Sequence, residues 1–171
     1  MEKNKRIIKN IMSYVIIIGI AILIKMFVFS PIRVNGTSMS PTLKDGDIMI
    51  LNEIGYHLNG LNRFDIAVVN HDGEKLIKRV IGLPGEEIEY KDNNLYVNGE
   101  LVVENFTHAD TSDFKIEELG DTKVPENHYF LMGDNRTNSK DSRYIGFVHK
   151  SKIMGKTKLI IYPFNRVSTV Q

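Results

Sequence analysis

Residues 95–103 read Leu-Tyr-Val-Asn-Gly-Glu-Leu-Val-Val. Two short apolar runs flank Asn98-Gly99, the dipeptide that best tolerates the paired positive φ angles of a tight hairpin turn. The stretch therefore predicts an antiparallel hairpin. Outward from it, residues 47–51, 65–69, 76–83, 129–132 and 158–161 are further short runs rich in β-branched residues, each bounded by turn formers such as Pro84-Gly85. No long amphipathic helical pattern separates them. The expected fold is mainly β: an antiparallel coiled sandwich or barrel. Residues 104–123 are polar, acidic and weakly patterned, and are expected to form a loop or insertion.

Composition narrows the function. The chain has 171 residues, 42% of them apolar and 25% charged, which suits one globular domain. A net charge of +1 argues against a nucleic-acid partner. The basic residues are unevenly placed. Lys3, Lys5, Arg6, Lys9 and Lys25 stand against Glu2 alone in the first 29 residues, leaving the remainder at about −3. The absence of cysteine excludes disulfides, thiolate metal sites and a cysteine nucleophile.

Residues 11–29 are apolar on every face, with Lys25 the only charge, and 19 helical residues just span a bilayer core of ~30 Å. Bulky Phe27, Val28 and Phe29 stand where a cleaved leader would carry small residues, so a retained anchor is expected. The basic residues before it place the N-terminus in the cytoplasm. The expected organisation is a basic cytoplasmic tail (1–10), a transmembrane helix (11–29) and an extracytoplasmic catalytic domain (30–171).

Three segments can carry chemistry. Residues 36–43 (Gly-Thr-Ser-Met-Ser-Pro-Thr-Leu) begin a few residues past the expected span, with Gly36 allowing close backbone approach and Pro41 fixing the turn. Lys78 lies in the strand pattern of residues 76–83. Alternation puts Lys78 on one face and Arg79 on the other, so one cation should point inward. A lysine acting as a base must be neutral, which at an ordinary pKa near 10.4 holds for roughly one amine in 2,500 at pH 7; burial among apolar groups lowers that pKa. Residues 133–143 form a dense polar run in which Ser139 or Ser142 can offer a hydroxyl and Asp141 and Arg143 an ion pair. Asp134, Arg136 and Asn138 break the alternation of oxygen ligands that a calcium loop requires. None of the five histidines has a motif-like setting or metal-ligand spacing, although a triad is recognised by geometry rather than by sequence position. Gly36-x-Ser38-x-Ser40 lacks the second glycine of a nucleophile elbow.

Together the segments resemble the bacterial type I signal peptidases, particularly the short single-span Gram-positive kind. The resemblance rests on Ser38-Met39-Ser40-Pro41-Thr42-Leu43, on Lys78 through Glu86 and on Gly133 through Arg143, about 40 and 55 residues apart. It implies a Ser-Lys serine peptidase that cuts signal peptides from preproteins after small-x-small sites. Ser38 is then the nucleophile and one oxyanion donor, Lys78 the general base, and Ser139 the hydroxyl that orients the amine. Asp141, Arg143 and Asp134 support the site, and Met39 and Pro41 contact substrate or membrane. Gly36 stands where some members carry a second oxyanion hydroxyl, and Phe64 where a glycine often precedes the aspartate. The implied partners are signal peptides and the lipid bilayer; no cofactor, metal or nucleic acid is expected, and the enzyme should be a monomer. Two rival readings are a self-cleaving repressor protease, which would need a DNA-binding module, and a silent relative, which would lack the serine or the lysine.

Overall fold

The computed structural model describes residues 10–20 and 29–170. The chain divides into two units, Met1–Ser30 and Pro31–Gln171. In the first, residues 10–20 form helix α1, whose Ile11, Tyr14, Val15, Ile17, Ile18 and Ile20 are exposed. The expected tail and much of the expected anchor (residues 1–9 and 21–28) lie outside the described residues. No helix among the described residues is long and apolar enough to cross a membrane.

The remaining elements are strands joined by tight turns. They are β1 (Phe29–Arg33), β2 (Ile48–Asn52), α2 (Glu53–Asn59), β3 (Ile66–His71), β4 (Glu74–Gly82), β5 (Ile88–Lys91), β6 (Asn94–Val97), β7 (Glu100–Val102), β8 (Phe114–Lys115), β9 (His128–Met132), α3 (Ser142–Ile145), β10 (Val148–His149), β11 (Ile153–Tyr162) and β12 (Ser168–Thr169). One sheet runs in the order β1-β2-β11-β3-β4-β9-β10, with β12 also pairing β11; a second runs β7-β6-β5-β8. The fold is mainly antiparallel β.

Turn chemistry explains the hairpins. Asn98 and Gly99 adopt φ of 52° and 80°, and Leu95 and Tyr96 face Val102 and Leu101, giving the expected hairpin. Asp72-Gly73 joins β3 to β4 and Asp92-Asn93 joins β5 to β6 in the same way, with positive φ at both central residues. Strand β11 is longer than the expected run at 158–161 because Gly155 interrupts the apolar pattern. A Cβ there would lie 3.0 Å from the Asn52 carbonyl oxygen, so close strand approach demands glycine. The short helix α2, whose first turn is capped by the Asn52 side chain at 2.7 Å from Gly55 N, was not legible in the strand pattern.

Burial divides among three apolar clusters. One joins Met39, Leu43, Met49 and Ile66; a second joins Ile81, Ile88, Tyr90 and Phe130; the third joins Ala67, Val80, Leu131 and Val148. The segment 104–123 is mostly irregular but not merely a surface loop. It supplies β8 and buries Thr111, Phe114 and Ile116, with Phe114 stacked on Phe130 at 5.5 Å.

Candidate active site

The turn after β1 presents Ser38. Gly36 takes φ of 82°, and the amide of Leu43 closes onto the Met39 carbonyl at 2.9 Å. Met39 and Leu43, four residues apart, both enter the core, which pins this turn and leaves Ser38 half-buried at its surface. Met39 was expected to contact substrate or lipid. It is instead 1% exposed, packed in the same apolar cluster as Ile32, Val34 and Met49, and offers no surface to a membrane. Its unbranched chain gains more by filling that core than by facing water. Pro41 is exposed.

Lys78 comes from the middle of β4, opposite Ala67 of β3. It is 3% exposed. Its Nζ lies 2.7 Å from Ser38 Oγ and 3.1 Å from the Ile77 carbonyl oxygen. Burial lowers the amine from 10.5 to about 8, against an opposing pull from Asp141 and Asp134. Neither carboxylate is bonded to the amine. About one Lys78 in ten is then neutral at pH 7.

Alternation led us to expect one inward cation on this strand, yet Arg79 is buried as well. Both faces of β4 are covered, and each cation has its own partners. Arg79 Nε and Nη2 donate to the two oxygens of Asp134 at 2.8 and 2.6 Å, and Nη1 donates to the Phe64 carbonyl at 3.0 Å. The Phe106 ring covers the guanidinium at 3.8 Å. Thr42 Oγ1 also donates to Asp134, at 2.5 Å, tying the turn of Ser38 to the same carboxylate. Phe64 has φ of 70°, the left-handed region that glycine adopts most easily.

The run 133–143 closes the site. Asp141 accepts from Arg143 Nε at 2.9 Å and Nη2 at 3.0 Å, and its Oδ2 also accepts from Gly133 N at 3.0 Å. A Cβ on Gly133 would come within 2.3 Å of both Ser139 Oγ and the Ser38 carbonyl oxygen, so only glycine lets these two residues close on it. Asn135 N reaches the same Ser38 carbonyl at 3.0 Å. Ser139 is 8% exposed, and its hydroxyl has no hydrogen-bond partner. Opposite, Gly36 N donates to Asp45 Oδ1 at 2.7 Å and is committed, whereas Ser38 N has no partner among the described residues. Thr37 Oγ1 accepts from Asn138 Nδ2 at 3.3 Å.

Sequence reasoning placed Arg136 in a motif but missed its contacts. Arg136 is buried and donates to Glu104, Tyr90 Oη, Thr111 Oγ1 and the Gly133 carbonyl. Nothing local to Glu104 in an irregular acidic stretch signals this contact.

A buried amine hydrogen-bonded to a serine hydroxyl is an arrangement able to activate a serine nucleophile. Residues 7–162 match the family described as signal peptidase, peptidase S26. The chain is 39% identical to signal peptidase I S of Bacillus subtilis, covering 98% of this chain and 95% of that one. It is 42% identical to a signal peptidase I of Bacillus caldolyticus, covering 84% and 85%. The crystal structure of a signal peptidase I from Enterococcus faecalis matches at a TM-score of 0.52 and 39% identity, covering 56% of this chain and 95% of that one. The chain belongs to the signal peptidase I family and is a serine peptidase.

Proposed function

We propose that this chain is a membrane-bound endopeptidase that removes signal peptides from exported preproteins after small-x-small sites, using Ser38 as nucleophile and Lys78 as general base. The 2.7 Å contact between Lys78 Nζ and Ser38 Oγ carries the reading. A neutral Lys78 takes the Ser38 proton as Oγ attacks the scissile carbonyl carbon. Ser38 N–H holds the oxyanion; such a donor is worth ~3–4 kcal/mol in other hydrolases. The Lys78 ammonium then protonates the departing amine, and the mature chain leaves. Water, deprotonated by Lys78, hydrolyses the acyl ester and returns the proton to Ser38 Oγ.

A neutral amine has one lone pair and two protons. The Ser38 hydroxyl fills the lone pair and the Ile77 carbonyl takes one proton. The Ser139 hydroxyl, buried beside Gly133 and the Ser38 carbonyl, makes no bond to the amine in this structure and is assigned, by the family resemblance, as acceptor of the other. Asp141, Arg143 and Asp134 hold the backbone around them through the bonds described above. Bilayer contact is supported by the exposed apolar side chains of α1 and by Tyr162 at the end of β11 with Phe164 and Val167 after it, Phe164 being 84% exposed. The cytoplasmic N-terminus and extracytoplasmic catalytic domain rest on the basic flank.

Cleavage of a preprotein in detergent by the wild type, Ser38→Ala and Lys78→Ala tests the mechanism. Both variants should lose at least about 10³ of the rate. Full activity in either one overturns it.

A further inference from the structure

Glu104 lies in the stretch that reads as a loop, yet it ends in the interior beside the catalytic segment. We infer that Glu104 is a positioning residue for the active site, acting on Gly133 and Ser139 through Arg136; this rests on the Ser38-Lys78 reading above.

The contacts run in one chain. Glu104 Oε1 accepts from Arg136 Nη2 and from Tyr90 Oη, the latter at 2.9 Å. Arg136 Nη1 reaches Tyr90 Oη at 3.0 Å and Thr111 Oγ1 at 2.7 Å. Its Nε donates to the Gly133 carbonyl at 3.1 Å. The peptide groups of Gly133 are thus gripped from two sides, the carbonyl by Arg136 and the N–H by Asp141 at 3.0 Å. Gly133 is the residue on which the Ser139 hydroxyl and the Ser38 carbonyl both close. A small rotation of that backbone moves the Ser139 hydroxyl and the Ser38 carbonyl together, and with them the geometry around the Lys78 amine.

Glu104 is the only carboxylate paired with Arg136 among the described residues. The neighbouring Asp134 is already occupied by Arg79 and Thr42. His108 Nε2, 3.4 Å from Glu104 Oε2, sits on the carboxylate's other oxygen and does not compete for Arg136. Removing the Glu104 charge leaves a buried guanidinium without a counter-ion, which costs more than losing a hydrogen bond and drives Arg136 to rearrange. The Gly133 carbonyl, held by Nε at 3.1 Å, is exposed to that rearrangement. Misplacement of a catalytic group by ~1 Å can cost on the order of 10²-fold in rate.

The test compares Glu104→Gln, Glu104→Asp and Ser38→Ala with the wild type in full-length enzyme, counting competent sites by covalent labelling of Ser38. Glu104→Gln is expected to lower kcat per labelled site about tenfold with KM within twofold, and Glu104→Asp, which keeps the charge, to recover most of it. An unchanged kcat per labelled site in Glu104→Gln, or no recovery in Glu104→Asp, overturns the inference. Full activity in Ser38→Ala would sink the underlying mechanism instead, so the two failures are distinguishable. Should Glu104→Gln not fold, Thr111→Val removes another Arg136 acceptor, and a kcat per site lowered about threefold is expected; no change overturns the proposal.

Discussion

Lys78 and Arg79 are neighbours in β4, both cations are buried, and their surroundings are opposite in kind. Arg79 meets Asp134 through two charge-assisted bonds and an aromatic face, so its charge is fully answered. Lys78 meets a hydroxyl and a carbonyl and no bonded carboxylate, so its charge is penalised and its amine falls to about 8. The two carboxylates that act on it at a distance are each already held by an arginine, Asp134 by Arg79 and Asp141 by Arg143. One strand thus supplies a structural cation and one that gives up its proton more easily. The difference is whether a carboxylate can reach the nitrogen.

The comparison breaks most severely at Asp134. Asp134→Asn leaves Arg79 buried without its counter-charge, and denaturant unfolding should show a loss of about 3–5 kcal/mol. In whatever fraction folds, the midpoint of the pH–rate profile should move below about 8, because Asp134 holds the Lys78 amine up. A loss under about 1 kcal/mol would mean that the pair is not the counterweight described.

Lys78→Met should do the reverse. The folded-state amine lies below its ordinary value, so below pH 8 both states are protonated and the native state carries the cost of a desolvated cation. The fall from 10.5 to about 8 corresponds to about 3 kcal/mol. Between pH 8 and 10.5 the unfolded chain binds more protons, and that cost is progressively relieved as pH rises. Lys78→Met should therefore stabilise the protein at pH 7 by about 2 kcal/mol after the lost Ser38 contact is subtracted, while abolishing activity. At pH 11 the gain should vanish; an equal gain at both pH values would contradict the desolvation account. In the wild type, the rate should rise about tenfold per pH unit below pH 8 and level off above it. A profile governed by a group near 6.5 would point to histidine.

The smallest expected effect is at Phe64, which supports Arg79 through its carbonyl. Its left-handed φ of 70° costs about 1 kcal/mol or more. Its ring packs edge-on against Phe106 at 5.2 Å. Phe64→Gly relieves the first and loses the second, so thermal unfolding should register a net change of less than about 1 kcal/mol. A loss above about 2 kcal/mol would show that the ring contact dominates.

Much of the strand order was legible because hairpins are written locally. Asn98-Gly99 announced its turn, and Asp72-Gly73 carried an equally clear signal between β3 and β4 that the strand runs alone did not use. Gly155 hid half of β11, because a glycine required by a close neighbour looks, in sequence, like a break. Ser38, Lys78, Ser139, Asp141 and Arg143 were singled out by the family resemblance of their motifs, and the structure brings those segments together. Met39 went to the wrong side: an apolar residue beside a catalytic serine reads equally well as a surface contact or as an anchor of the turn. Only the packing partners of Leu43 and Met49 separate the two.

By itself, the sequence determined the β-rich class and several of the turns and, through its motifs, the family, since turn preference and motif chemistry reside in adjacent residues. Tertiary structure decided which of two adjacent cations is left without a bonded carboxylate, and that Glu104 reaches Arg136 across 32 positions of chain. Desolvation and pairing are properties of what surrounds a group. Here those surroundings come from contacts 32 to 92 residues apart, from Glu104–Arg136 and Ser38–Lys78 to Arg79–Asp134 and Thr42–Asp134.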